Sequence, residues 1–167
     1  TIVNKEILFP KEYPYTSSTT KILRENFKEL YEDCKKIINI SSQDLIIDIG
    51  SNDGTLLRCL KDVGYDNVLG VDPADEIANE ATQNGIPTLN AYMDKETANK
   101  IFKEHGKASI ITANNVYAHV DDMAGLTNAI SDVMKEDAIF VFEVSYLVSK
   151  SSKDYQSITI NLFYSIY

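Results

Sequence analysis

The fold of this chain is decided at residues 45–54, which read LIIDIGSNDG. Residues 45–49 form an apolar run broken only by Asp48, and such short runs are typical of strands buried on both faces of a parallel sheet. The turn that follows holds Gly50 and Gly54, where the backbone can pass close to a ligand because no Cβ stands in the way. A helix is predicted directly after it, over residues 54–63. A strand, a glycine turn and a helix in this order predict a ligand site beyond the carboxyl end of the strand.

Strands and helices alternate outward from this stretch. Apolar residues at helical spacing predict further helices at residues 20–39, 75–84, 94–104 and 121–135. Short apolar runs predict further strands at residues 68–71, 88–89, 108–112 and 139–144. Alternation with connections of a few residues implies right-handed crossovers. The sequence therefore predicts an α/β fold with a doubly wound, mostly parallel sheet.

The two ends of the chain depart from this alternation. Residues 1–19 include two prolines and several aromatics, which favours an ordered arm, and residues 20–147 hold the α/β domain with its leading helix. Residues 148–167 combine a polar break with an apolar tail, in which residues 158–162 alternate as an edge strand would. We expect a sheet truncated on its C-terminal side, with room for one strand at most after the fifth.

Composition narrows the class of protein. The 167 residues fit one domain, and 16 Lys and Arg against 25 Asp and Glu argue against nucleic acid as a partner. No apolar run approaches the roughly 20 residues of a membrane span, and the N-terminal residues lack the form of a secretion signal. Cys34 and Cys59 are isolated, so we expect reduced core thiols, no metal site and a cytoplasmic location.

The predicted site combines the glycine turn with Asp72, which ends the second strand 24 residues after Asp48. A carboxylate there can accept both hydroxyls of a ribose, although Asp72 could instead cap the next helix. A nicotinamide-binding turn would read G-x-G-x-x-G, but Asn52 stands at the second glycine. Because S-adenosylmethionine (SAM) has no pyrophosphate, it does not need that close approach. The turn therefore favours SAM, and a nicotinamide-dependent oxidoreductase is a distant alternative.

Four motifs in collinear order carry a resemblance to a known family. They are YPYTSS at residues 13–18, DIGSNDGTLL at 48–57, TANNVYAHVDD at 112–122 and EVSYL at 143–147. Together they resemble the sugar C-methyltransferases, which act on nucleotide-linked 4-keto-deoxysugars. The resemblance implies the Rossmann-like SAM methyltransferase fold, SAM as cofactor, and a nucleotide-linked sugar as a further partner.

The resemblance also assigns roles to residues. The methionine end of SAM would lie against the glycine turn, the ribose against Asp72, the adenine beyond the third strand and the sulfonium over the end of the fourth. The residues predicted to bind the cofactor are Asp48, Gly50, Ser51, Asn52, Gly54, Asp72, Pro73, Ala91, Tyr92, Asn114 and Asn115. His119 and Tyr15 are the candidate catalytic residues. Each has an alternative reading: the two asparagines could form an Asx turn, and Tyr15 and His119 could serve packing alone.

The chain departs from the family at the expected base. The family carries a Glu-His pair downstream of the fifth strand, where this sequence has Ile160 and Asn161, and no Glu or His follows Glu143. The family's zinc module and C-terminal domain are also missing. The chain is then a truncated piece, a degenerate product or a minimal protein with another task. Two hypotheses stay open: a SAM-dependent methyltransferase, or a catalytically impaired SAM-binding module that self-associates through its open sheet edge or apolar tail, residues 162–167.

Overall fold

The computed structural model describes residues 21–147 and 157–164. Their elements follow in the order α1 (Lys21–Ile37), β1 (Leu45–Ile49), α2 (Thr55–Lys61), β2 (Val68–Asp72), α3 (Asp75–Gln83), β3 (Thr88–Asn90), α4 (Lys95–His105), β4 (Ala108–Asn114), a 3₁₀ turn (Tyr117–His119), α5 (Met123–Val133), β5 (Met134–Leu147) and β6 (Ser157–Tyr164). The predicted alternation of strands and helices is confirmed.

These strands form one sheet in the order β3-β2-β1-β4-β5-β6. β1 to β5 run parallel to their neighbours, and β6 pairs antiparallel with β5. From β1 the chain builds outward through β2 and β3 on one side, and then through β4 and β5 on the other. Strand order therefore reverses between β1 and β4, and a crevice opens there at the carboxyl ends. The predicted fold class, a doubly wound and mostly parallel α/β sheet, is confirmed.

The core has two layers because successive residues of a strand point to opposite faces of the sheet. Ile47 and Ile49 of β1 pack in a cluster with residues of α4 and α5, whereas Ile46 packs in a second cluster with residues of α1 and α2. All five residues of β1 are buried. This explains why an unbroken apolar run, rather than an alternating one, marks the central strand.

Element boundaries differ from the predicted ones mainly at β5, which begins at Met134 instead of residue 139. The start of this strand is charged, with Lys135, Glu136 and Asp137, and its sequence is therefore typical of a polar loop. The β4–β5 register shifts between Ala108 and Ile110, which accommodates these residues. Lys135 also has a partner, since its ammonium donates to the carboxylate of Asp44 just before β1.

Three predictions concern the ends of the chain. β6 covers the residues for which an edge strand was predicted, and it lies at the edge of the described sheet. The arm at residues 1–19, with Tyr15, lies outside the described residues, so the division into arm, domain and tail stays a prediction. None of the helices described is both long and apolar enough to span a bilayer.

Candidate functional site

A cavity of about 880 Å³ opens at the carboxyl ends of the parallel strands. This volume falls within the range typical of small-molecule sites, about 300–1,000 Å³. Nine of the predicted site residues line it: Gly50, Asn52, Asp72, Pro73, Ala91, Tyr92, Asn114, Asn115 and His119. The structure thus brings residues from four separate stretches of sequence around one cavity.

The turn after β1 depends on a left-handed backbone. Gly50 has φ +69° and Asn52 has φ +52°, a region that side chains other than glycine and asparagine rarely adopt. A Cβ on Gly50 would stand 2.2 Å from Cγ2 of Val116, which follows β4. Gly50 therefore allows both the backbone conformation and the close approach of the loop after β4.

Asp72 joins the ends of β1 and β2. Its Oδ2 accepts the backbone N–H of Asn52 at 2.8 Å, and its Oδ1 accepts that of Ala74 at 2.9 Å. The bond to Ala74 spans two residues, as in an Asx turn, and does not reach the N–H groups inside α3. Burial raises the pKa of this carboxyl, while the two backbone N–H groups act in the opposite direction. Each oxygen keeps a second lone pair, so the fixed carboxylate can accept two ligand hydroxyls.

Asn115 and Glu143 connect the ends of β4 and β5. Asn115 donates its backbone N–H to the carbonyl oxygen of Glu143 at 2.9 Å, and its Nδ2 to Oε1 of the same residue at 2.9 Å. Asn115 adopts φ +56°, which turns the chain sharply after β4. Both residues line the cavity. The first hydrogen bond fixes the backbone of Glu143, and the second holds its carboxylate at the cavity wall.

Asn114, the last residue of β4, presents a different feature. Both its Oδ1 and its Nδ2 are buried, and neither makes a hydrogen bond within the described part of the chain. Buried amides are nearly always hydrogen-bonded, because an unmade bond costs about 1–3 kcal/mol. A lining residue with this unmet capacity fits a site that a polar ligand completes.

Three other predicted residues stand behind the cavity wall instead of forming it. Asp48 is buried and accepts a hydrogen bond from Oγ1 of Thr112 at 2.6 Å, and burial raises the pKa of Asp48 to about 7. Ser51 is buried, with its hydroxyl close to Gly70 of β2. Gly54 is the N-cap residue just before α2, with φ +74°, and it faces Ile86. Their positions support the turn, and direct contact with a cofactor stays a prediction for each.

His119 ends the 3₁₀ turn that follows β4. Its backbone N–H donates to the carbonyl of Val116, and its side chain is exposed at the cavity. The structure places His119 on the side of the site formed by β4 and β5, away from Asp72. A catalytic role for it stays a prediction, and Tyr15 lies outside the described residues.

Sequence reasoning missed several lining residues. The most informative is Glu143, which the fifth-strand motif contained but which had no predicted role. Its place at the site follows from the pairing of Glu143 with Asn114 across β4 and β5. The others with charged side chains are Asp94, Lys95, Asp121 and Asp122. Asp94 and Asp122 carry a readable signal, since each caps a helix by accepting the N–H three residues on.

The sheet order, the left-handed glycine turn and a carboxylate fixed at the end of β2 are those of a nucleotide-binding α/β domain. The antiparallel β6 and Asn52 at the second glycine position of the turn distinguish it from the dinucleotide-binding ones. A family model described as a methyltransferase domain matches residues 21–163. The chain belongs to this methyltransferase domain family.

Among curated proteins, the chain is similar to the C-methyltransferase NovU of Streptomyces niveus. The two are 30% identical over 147 residues, which make up 88% of this chain and 34% of that protein. The chain thus spans about a third of the length of this curated relative.

Solved structures show the same fold. A SAM-dependent methyltransferase from Thiobacillus denitrificans, in complex with S-adenosylhomocysteine (SAH), gives a TM-score of 0.61 at 10% identity, covering 91% of this chain and 59% of that one. A second, from Clostridium acetobutylicum, gives a TM-score of 0.55 at 18% identity, covering 84% and 73%. At these identities the likeness shows the fold alone.

Proposed function

We propose that this chain binds SAM in the cavity at the carboxyl ends of β1, β2 and β4, as the donor domain of a C-methyltransferase. The observation that carries the proposal is the fixed carboxylate of Asp72 beside the turn at Gly50 and Asn52, in a cavity of about 880 Å³. A ribose needs two acceptors, which the carboxylate of Asp72 offers. The amino-acid end of SAM needs a close approach to the backbone, which the turn allows at Gly50 because no Cβ stands there.

Different residues would bind different parts of the ligand. Asp72 would accept the ribose hydroxyls, Ala91 and Tyr92 would flank the adenine, and the turn after β1 would hold the methionine end. The carboxamide of Asn114 gives the proposal independent support, because its two buried atoms need partners that a ligand can supply. When bound, SAM supplies an electrophilic methyl group. The residues of the chain bind and orient it and keep water from its charged centre.

The proposed acceptor is a carbon next to the ketone of a nucleotide-linked deoxysugar. Two observations support this class: the sequence similarity to NovU, a C-methyltransferase, and the four family motifs in collinear order. Attack by carbon requires a base that removes a proton from the acceptor. His119 and Glu143 both line the cavity, and each has a side chain that can take up a proton, so they are the candidates for this base.

A second candidate function is a module that binds SAM but transfers no methyl group by itself. This candidate is favoured by the sequence of β6, where the family resemblance sets Ile160 and Asn161 at the positions of the family's Glu-His pair. The β5–β6 register sets Asn161 opposite Glu143 and Ile160 opposite Val144. Neither isoleucine nor a neutral amide can act as the base, so this module would need another chain to complete the chemistry.

Calorimetric titration of the chain with SAM and, separately, with SAH tests the shared part of both functions. Micromolar binding of either ligand is expected, and a folded sample that binds neither would overturn both. Incubation with radiolabelled SAM and a 4-keto-deoxysugar nucleotide then separates them. Label transferred to the sugar supports the methyltransferase, whereas binding without transfer favours the incomplete module.

A further inference from the structure

Negatively charged residues outnumber positively charged ones around the cavity. Five carboxylates line it, and Lys95 is the one lysine or arginine among the lining residues that the structure describes. The five are Asp72, Asp94, Asp121, Asp122 and Glu143. A cavity of this kind favours a cationic centre over a neutral or anionic one, because the walls are of one sign and exclude part of the solvent.

The five carboxylates differ in how they are held and in how far solvent screens them. Asp94 and Asp122 are exposed and each cap a helix, and Asp121 is exposed to solvent, which screens its charge. Asp72 is buried and held by two backbone N–H groups, and we assign it to the ribose. Glu143 is partly buried and held by the side chain of Asn115, and the ribose does not use it. A fixed, partly buried charge acts more strongly on a neighbour than a mobile, exposed one.

The sheet order sets where Glu143 acts. Neighbouring strands lie about 4.8 Å apart, so Glu143 on β5 stands roughly 14 Å from Asp72 on β2, with β1 and β4 between them. Glu143 pairs in register with Asn114, whose unpartnered carboxamide is at the same level of the sheet. β1 lies between β2 and β4, so a ligand with its ribose at Asp72 and its methionine end over the β1 turn would extend from β2 toward β4. Its sulfur would then lie nearer to Glu143 than its ribose does.

We propose that Glu143, held by Asn115, recognises the positive charge of the methyl donor and makes the site prefer SAM to its neutral product, SAH. This inference rests on the proposed SAM site and adds a charge discrimination to it. SAM carries a sulfonium cation, whereas SAH has an uncharged thioether in an otherwise equal framework. Loss of the methyl group removes the cation, so the product loses its attraction to Glu143 and dissociates more readily.

The test compares three ligands that share the adenosine and amino-acid ends. SAM is cationic at sulfur, sinefungin carries a protonated amine at the equivalent place, and SAH is neutral there. The variant is Glu143→Gln, which keeps an oxygen that can accept from Nδ2 of Asn115 and removes the charge. The matched control is Glu136→Gln, the same change at an exposed residue of β5 that lies about 20 Å away along the strand.

Calorimetry on the chain and both variants gives the result. In Glu143→Gln the affinity for SAM and for sinefungin should fall roughly tenfold, as expected for one lost charge several ångströms away at an intermediate dielectric. SAH binding should change less than twofold, and Glu136→Gln should bind all three ligands as the parent does. An equal change for all three ligands, or none for any, would overturn the inference and leave the SAM site standing. A folded parent chain that binds none of the ligands would overturn the site itself.

A measurement without any substitution guards against a misfolded variant. Raising ionic strength from roughly 0.05 to 0.5 M shortens the screening length of charge interactions. For the parent chain, SAM and sinefungin should then lose affinity relative to SAH. A ratio of SAM to SAH affinity that does not depend on salt would contradict a charge-based preference.

Discussion

The backbone N–H of Asn52 donates to Oδ2 of Asp72 across 2.8 Å, so the turn after β1 and the end of β2 are fixed to each other. Asn52 reaches this geometry with φ +52°, and its N–H points sideways to the neighbouring strand. The carboxylate that would hold the ribose therefore also holds the turn that would hold the methionine end. A change at Asp72 is expected to affect both halves of the site together.

Asp72→Asn should weaken binding of SAH roughly 10- to 100-fold. In the parent chain the carboxylate accepts the backbone N–H groups of Asn52 and Ala74. The amide keeps one accepting oxygen, but its NH₂ group faces the other N–H, which then has no acceptor. A lost hydrogen bond to a charged group corresponds to about 1.5–3 kcal/mol. Calorimetry measures the change, and Asp66→Asn, in the exposed loop before β2, is the matched control. Equal affinities for the two variants would refute the role of Asp72.

Gly50→Ala should lower the free energy of unfolding by about 3 kcal/mol, from left-handed backbone strain and from overpacking. The added Cβ would lie 2.2 Å from Cγ2 of Val116. Gly64→Ala is the control, because φ at Gly64 is +97° and nothing lies within 4 Å of its added Cβ. That variant should lose only about 1–2 kcal/mol, the backbone part. Urea unfolding measures both.

A double-mutant cycle separates the two parts of the Gly50 effect. Removing both γ-methyls of Val116 leaves its Cβ 3.5 Å from the added methyl, an ordinary contact. In a Val116→Ala background, Gly50→Ala should therefore cost about 1–2 kcal/mol, like the Gly64 control. An undiminished cost in that background would show that the clash with Val116 does not determine the requirement for glycine.

Asp48→Asn should flatten the dependence of stability on pH between about pH 4 and pH 7. Burial raises the pKa of Asp48 to about 7 in the folded chain. As pH rises through this window, the unfolded chain releases the proton while the folded chain keeps it, so the free energy of unfolding falls. Above the folded pKa the loss is complete, and it amounts to as much as about 4 kcal/mol.

Chemical unfolding of parent and Asp48→Asn at a series of pH values measures this difference. Other groups, such as Asp72, titrate in both proteins, so only the gap between the two curves is informative. The gap should move in favour of the asparagine variant as pH rises from 4 to 7, and Thr112 can still donate to the amide oxygen. Parallel curves across that range would mean that Asp48 titrates normally.

Much of the fold could be read from the sequence because its signals are local. The elements were predicted from the buried run at residues 45–49, the glycine turn, and the alternation of short apolar runs with apolar residues at helical spacing. The structure confirms these elements. The start of β5 was missed because Lys135, Glu136 and Asp137 look like a loop, whereas the partner of Lys135, Asp44, is remote in sequence. A strand stabilised by such a distant contact has no local pattern.

The candidate site could be predicted only in part, for a related reason. Residues in or beside the glycine turn and at strand ends, such as Asn52 and Asp72, were found because their sequence context is short. Glu143 was not, since its position at the wall follows from the β4–β5 register and from the left-handed Asn115 that reaches across to it. Asp48 shows a second limit of local sequence reasoning: it is adjacent to the turn, but its carboxylate is buried against Thr112 and is not among the lining residues, so its contact with a cofactor stays a prediction.

Asn114→Ala should weaken ligand binding without lowering the stability of the ligand-free chain. In most buried positions a truncation to alanine destabilises the fold, because it removes contacts. At Asn114 it also removes two buried polar atoms that have no hydrogen-bond partner among the described residues, each of which costs about 1–3 kcal/mol when unsatisfied. The two effects offset each other, so the thermal midpoint without ligand should stay the same or rise.

With saturating SAH the parent chain should have the higher thermal midpoint of the two, because it gains hydrogen bonds at Asn114 that the variant cannot make. The rise in melting temperature on adding SAH should therefore be smaller in Asn114→Ala, in line with a lower affinity. Thr112→Ala is the matched control on the same strand, since its hydroxyl already donates to Asp48 and does not line the cavity. That variant should lose stability with and without ligand by the same amount. If Asn114→Ala behaved like this control, the carboxamide would serve the fold and not the ligand.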